Sequence, residues 1–214
     1  MSAEVLRDLQ KAILEYNGEL AVTSAKKVIE QGIDLNKALE TMTDAVRQVG
    51  DGFERGELWL PDLIGASDTM LKAMPIIEDA VSKAGGVMKG IGKVVIGTVY
   101  GDIHNIGKDM VATLLRAAGF VVEDLGINVS RDKFVDAVRR HRPDVLAMSA
   151  LMTTTVTGMR DVIEGIKEAD LRDKVKVIVG GAPVTEEYAQ RIGADGYDPT
   201  APGAPKLAKR LLGV

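Results

Sequence analysis

The sequence predicts an α/β protein: an N-terminal four-helix bundle, then a doubly wound, five-stranded parallel sheet of order 2-1-3-4-5. Three observations carry this expectation. Residues 1–84 show helical apolar spacing and no strand signal. Residues 85–92 concentrate glycine. From residue 93 onward short apolar runs alternate with helical segments, the pattern of a parallel sheet covered on both faces. The expected organisation is a helical cap domain at 1–84, a linker at 85–92 and an α/β domain at 93–214.

The helices come first. Leu6, Leu9, Ile13 and Leu14 form one apolar stripe, which ends near Asn17-Gly18. Leu20 through Ile29 gives a second, stopped by Gly32. Asp34 can cap a third, with Leu35, Leu39, Met42, Val46 and Val49 on one face, running out near Gly56. A fourth opens at Leu60-Pro61, where proline suits the first turn, and continues through Leu63, Ile64, Met70, Leu71, Met74 and Ile77. Pro75 inside it predicts a kink. Four such helices with short loops read as a small bundle.

The corner Phe53-Glu54-Arg55-Gly56-Glu57-Leu58-Trp59-Leu60 is unusually apolar for an interhelical turn. Phe53, Trp59 and Leu60 either plug the bundle or face a ligand or second domain. Gly85, Gly86, Gly90 and Gly92 then mark a flexible hinge.

Strands are expected at 93–100, 119–125, 144–149, 174–179 and 194–197. Helices are expected at 106–118, 131–141, 155–170, 185–192 and 203–212. Five such units fit the flavodoxin-like order, whose switch point lies between the first and third strands, where open α/β sheets bind ligands. Asp102 and His104 follow the first strand, Ser149-Ala150-Leu151 the third and Gly180-Gly181 the fourth, so three special loops converge on one sheet edge.

Composition narrows the chemistry. The 214 residues are 46% hydrophobic, enough for a sizeable core, but only 4% aromatic, which disfavours base stacking. A formal net charge of −4 argues against nucleic acid or an anionic membrane as partner. The first residues carry no signal core, and no apolar run approaches the ~20 residues of a membrane span, so a cytoplasmic protein is expected. Cysteine is absent and histidine occurs twice, too few ligands for a conventional zinc site. No Walker-type loop suggests a nucleoside triphosphate. A receiver domain would need an acceptor Asp where Ser149 stands.

Two residues apart on an extended loop, Asp102 can accept one imidazole N–H of His104 and leave the other nitrogen free for a metal. With so few protein ligands, most of the coordination sphere must come from elsewhere, which points to a macrocycle. The hydroxyls of Ser149, Thr153, Thr154 and Thr155 sit near the switch point. Gly180-Gly181 lets a flat group press against backbone.

The set Asp102-x-His104-x-x-Gly107, 41 residues, Ser149-x-Leu151, 28 residues, Gly180-Gly181 resembles the cobalamin-binding fingerprint of methionine-synthase-like corrinoid domains. The helical region around Phe53, Leu60-Pro61 and Leu63 is similar to their cap. The resemblance spans nearly the whole chain and comes nearest to the stand-alone corrinoid proteins of methanol, methylamine, betaine and methoxyaromatic demethylation.

The resemblance implies a bound cobalamin or related corrinoid, with His104 as lower axial cobalt ligand in place of the cofactor's own base. Asp102 would hold His104. Thr155, where methionine synthase has serine, would complete a ligand triad. Asn105, Ile106, Gly107, Ser149, Leu151, Thr153, Gly180 and Gly181 would bind the cofactor and its displaced nucleotide tail. Phe53, Leu60 and Leu63 would form an apolar cap over the methyl-bearing face. The implied function is methyl carriage between a donor-specific methyltransferase and an acceptor methyltransferase, with a reductive activase as third partner. Such a subunit is not a complete enzyme alone. The competing readings are a cobalamin-sensing regulatory module, for which the sequence offers no output domain, and the small subunit of a cobalamin-dependent mutase, which generally lacks the cap.

Overall fold

The computed structural model describes residues 2–84 and 90–214 and divides into two compact units, the second beginning at Gly90. The expected hinge glycines Gly85 and Gly86 lie outside the described residues.

The first unit consists of α1 (Ser2–Leu14), α2 (Gly18–Glu30), α3 (Leu35–Glu54) and α4 (Leu60–Lys83). Side chains cap three of them. Asn17 Oδ1 accepts from the Leu20 N–H, Asp34 Oδ1 from Asn36 and Asp62 Oδ2 from Trp59. The core is narrow and small-residue rich. Leu9, Ala12 and Ile13 of α1 are fully buried, as are Ala21, Ala25 and Val28 of α2 and Ala38, Met42 and Val46 of α3. On α4, Leu63, Ala66, Met70, Ala73 and Ile77 form one buried stripe at three- and four-residue spacing. Pro75 lies exposed on α4, and the helix runs on through it to Lys83. Packing of the buried stripe outweighs the one hydrogen bond that proline cannot make.

The second unit is a five-stranded parallel sheet of order β2-β1-β3-β4-β5. Its strands are β1 (Lys93–Thr98), β2 (Val121–Asp124), β3 (Val145–Ser149), β4 (Lys176–Gly180) and β5 (Gly196–Tyr197). The helices are α5 (Ile106–Ala117), α6 (Arg131–His141), α7 (Thr157–Glu168), α8 (Glu186–Ile192) and α9 (Gly203–Leu212). The central strands are apolar on both faces, as a sheet with helices on both sides requires. Val95, Leu146 and Val177 pack with Phe134, Ile163 and Ile166 into one large buried cluster. Strand register aligns Thr98, Ser149 and Gly180 side by side on β1, β3 and β4. The loops that follow these three residues therefore leave the sheet together.

The helix expected from 155 begins at Thr157. Thr155 lies in the preceding turn, where its N–H donates to the Met152 carbonyl and its side chain is committed elsewhere. No helix among the described residues is long and apolar enough to cross a membrane.

Candidate functional site

The loop between β1 and α5 carries Asp102 and His104. The Asp102 side chain is fully buried, while the His104 ring remains nearly half exposed, at 46%. Asp102 Oδ1 accepts the His104 backbone N–H at 3.0 Å and lies 2.7 Å from the ring Nδ1. Its Oδ2 accepts the Leu151 N–H at 2.7 Å, the Thr155 hydroxyl at 2.8 Å and, more weakly, the Met152 N–H at 3.4 Å. Burial pushes this carboxyl up, but the donors from Leu151, His104 and Thr155 outweigh burial and hold it well below the usual carboxylate range. An ionised carboxylate only accepts, so Nδ1 carries the proton facing Asp102, and the lone pair of the neutral ring is the one on Nε2. Nε2 has no hydrogen-bond partner among the described residues.

Beside His104 a cavity of about 690 Å³ opens between the sheet edge, α5 and α9. Ile96, Ala147, Ile178 and Leu207 give it apolar walls, and His104, Ser149, Asp198 and Thr200 add polar groups. Its size falls within the range of about 300–1,000 Å³ typical of small-molecule sites. Gly180 and Gly181 form part of the lining, and they are not equivalent. Gly181 has φ +125°, and a Cβ there would stand 1.8 Å from the Ala150 carbonyl oxygen. A Cβ on Gly180 would meet nothing nearer than the Asp198 carbonyl oxygen, at 3.8 Å.

Of the residues singled out in the sequence, the fold brings together Asp102, His104, Leu151 and Thr155 in one hydrogen-bonded group. Asn105, Ile106, Gly107, Ser149, Leu151, Gly180 and Gly181 line the cavity with His104. Thr153 is exposed and stands outside the lining. In the helical unit Phe53 and Leu60 are half-buried. Leu63 is wholly within the α4 stripe, so it supports that end of the helix from inside. Trp59 is 74% exposed and does not plug the bundle.

Three residues escaped sequence reasoning. Lys108, one position past Gly107, is a buried lysine whose Nζ lies 2.6 Å from Asp109 Oδ1 and 2.5 Å from Asp124 Oδ2. Its signal was a cation in helical register with Ala112 and Leu115, both buried. The Thr98 hydroxyl donates to the His104 carbonyl at 3.0 Å, and Asn128 grips the same loop from the β2–α6 connection. Neither has a local sequence signal, because both act across loops.

The cavity and donor set can be tested against candidate metal groups. No cluster of three or more His, Asp or Glu side chains that could hold a bare metal ion occurs among the described residues. One imidazole, that of His104, lines a largely apolar cavity in which the backbone of Gly180, without a Cβ, leaves room for a flat group. That donor set fits a metal already held by a macrocycle, bound through one protein ligand and a buried tail. Fold and site thus define a macrocycle-binding α/β protein with an accompanying helical unit.

Known proteins resolve the class further. Residues 92–204 match a B12 binding domain family, and residues 5–78 match a second family of the same description. The trimethylamine corrinoid protein of Methanosarcina barkeri is 42% identical over 212 residues, covering 99% of this chain and 98% of that protein. Dimethylamine corrinoid protein 2 of Methanosarcina acetivorans is 44% identical, covering 98% of this chain and 96% of its own length. Among solved structures, the methanol:cobalamin methyltransferase complex of Methanosarcina barkeri aligns with TM-score 0.86 and 29% identity, over 98% of this chain and 80% of that one. A cobalamin-binding protein from Desulfitobacterium hafniense aligns with TM-score 0.66 and 30% identity, over 96% of this chain and 98% of that one. The chain belongs to the family of B12-binding corrinoid proteins, and a corrinoid is its cofactor.

Proposed function

We propose that the protein carries a methyl group on a corrinoid between two methyltransferases, and that His104 is the lower axial ligand. The observation that carries this reading is the His104 ring, pinned at Nδ1 by a buried carboxylate and presenting Nε2 beside the cavity. When bound, the corrinoid supplies a cobalt centre able to accept a methyl group and give it up. Asp102 fixes the tautomer and orientation of His104 and raises its basicity as a ligand. Thr155, with the Leu151 N–H, keeps Asp102 ionised. Ser149, Leu151, Gly180 and Gly181 shape the slot for the displaced nucleotide tail, with Asn105, Ile106 and Gly107 at the loop above it. Phe53 and Leu60 are assigned by resemblance to an apolar cover of the reactive face, which excludes water.

The donor class is a methylated amine, supported by relatives named for trimethylamine and dimethylamine at 42–44% identity across nearly the whole chain. A donor-specific methyltransferase is the first partner; the methyltransferase complex among the structural neighbours supports a partner of this kind. The acceptor methyltransferase and a reductive activase complete the cycle. The test reconstitutes the chain with cobalamin and records the cobalt(II) electron paramagnetic resonance spectrum with 15N-labelled histidine. Histidine nitrogen coupling is expected, and benzimidazole coupling instead would refute the ligand assignment. Methylation of the reconstituted protein by a methylamine-specific methyltransferase tests the donor class, and failure with all three methylamines would overturn it.

A further inference from the structure

The loop bearing Asp102 and His104 is held on two flanks. On one, Leu151, Met152 and Thr155 hold the Asp102 side chain. On the other, the β2–α6 connection holds the main chain. The Asn128 N–H donates to the Asp102 carbonyl at 2.9 Å, and Asn128 Oδ1 accepts the Gly101 N–H at 2.8 Å. Asn128 does this from φ +51°, in the left-handed region, which asparagine tolerates better than most residues. Its side chain does not bond its own turn, the usual role of asparagine there. It reaches a residue 27 positions earlier.

The residue it reaches needs holding. Gly101 has φ +80°, and glycine is the residue least able to hold such a conformation by itself. The connection carrying Asn128 is fastened in turn. Asp124 Oδ1 accepts the Gly126 N–H at 2.8 Å, and its Oδ2 meets the buried Lys108 ammonium. The Gly126 carbonyl accepts from Thr98, whose hydroxyl bonds the His104 carbonyl. A run of contacts thus links α5, the β2–α6 connection and both ends of the histidine loop.

We propose that Asn128 is a positioning residue for the axial ligand: by holding Gly101 and Asp102 it sets where the His104 ring stands relative to the cavity. The inference rests on His104 being that ligand. Removing the side-chain acceptor frees the Gly101 N–H and lets the loop turn about a glycine, so the ring loses its fixed approach while Asp102 keeps its own donors.

The test uses the full chain with Asn128→Gly and Asn128→Asp. Glycine keeps the left-handed backbone and the N–H donated to Asp102 but loses the acceptor, whereas aspartate keeps both. In the cofactor-free protein, Asn128→Gly should speed amide exchange at Gly101 and His104 about tenfold at an unchanged urea midpoint. In the reconstituted protein it should weaken cobalamin affinity about tenfold, the lower end of such second-layer effects, and reduce the histidine-coupled share of the cobalt(II) spectrum. Asn128→Asp should restore exchange, affinity and spectrum. Unchanged exchange at Gly101 together with an unchanged spectrum in Asn128→Gly overturns the proposal. So does a fall in urea midpoint that accounts for all the added exchange while the spectrum stays as in the parent. If the parent protein itself lacks histidine coupling, the ligand assignment fails, a result distinct from either.

Discussion

Replacing Asp102 by asparagine changes one atom and should change which nitrogen of His104 carries the proton. Asparagine offers one carbonyl oxygen and one NH2 where the carboxylate offered two acceptors to five donors. The Oδ2 side is the more demanding, with Leu151 N–H at 2.7 Å and the Thr155 hydroxyl at 2.8 Å. The amide oxygen therefore turns toward those donors and the NH2 toward His104. That NH2 can donate to Nδ1 only if the ring proton moves to Nε2, which removes the lone pair assigned to the metal. The His104 backbone N–H, 3.0 Å from the same position, is left facing a donor. One unsatisfied, part-buried N–H costs about 1 kcal/mol, and exchanging charge-assisted bonds for neutral ones adds about 1 kcal/mol. The expected loss is about 2 kcal/mol, read by urea unfolding followed by circular dichroism. The tautomer is read by nitrogen NMR of labelled histidine in the cofactor-free protein. Retention of the Nδ1–H tautomer with a loss under about 1 kcal/mol would refute the reasoning. The pH dependence follows from the same carboxyl. Its folded acidity lies below the ordinary carboxylate range, so its stabilisation is fully present above that range and is lost as pH falls through the folded value. The stability gap between parent and Asp102→Asn should narrow on acidification, and a gap that widens would contradict the sign.

Three further outcomes are expected. Gly181→Ala should disrupt the α/β unit, since its Cβ would overlap the Ala150 carbonyl, whereas Gly180→Ala should leave the melting temperature of the cofactor-free protein unchanged yet weaken cobalamin binding; equal melting of the two variants would count against the geometry. Lys108→Met should cost about 1 kcal/mol in urea unfolding by taking the cation from the part-exposed carboxylates of Asp124 and Asp109, and adding Asp124→Asn should recover part of it; no recovery would mean that lysine packing, not charge, is what matters. Trp59, the single tryptophan, should emit as a water-exposed indole, and Trp59→Ala should alter stability by no more than about 0.5 kcal/mol; a blue-shifted emission would show the side chain buried.

The strand order was legible because parallel strands buried on both faces leave runs such as Val94-Val95-Ile96 with no polar interruption, and these alternate with helices. The ligand loop was legible because Asp102 and His104 are close in sequence. What escaped depends on meetings between distant segments. Thr155 entered the triad only through the family resemblance; its own spacing reads as the start of a helix, and in the fold Asp102 takes its hydroxyl in the turn before α7. Lys108 shares a helix face with Ala112 and Leu115, but its partner Asp124 comes from β2, which no local pattern reveals. Leu63 was expected, by resemblance, in the apolar cap as well as in the α4 stripe, but spacing cannot tell one edge of a stripe from its centre, and the packed bundle buries it fully. Trp59 is the reverse case. Asp62 captures its backbone N–H at the start of α4, and the indole is left in solvent.

Of the five donors around Asp102, three are backbone N–H groups, those of His104, Leu151 and Met152. No point substitution other than proline can delete them. The ionised state of this carboxylate is thus insulated from most genetic change at residues 151 and 152, whose partly exposed side chains extend from the same loop. That loop separates two tasks, fixing the charge through its amides and meeting whatever rests on it through its side chains. The second can diversify, from one cofactor variant or partner to another, while the first stays constant.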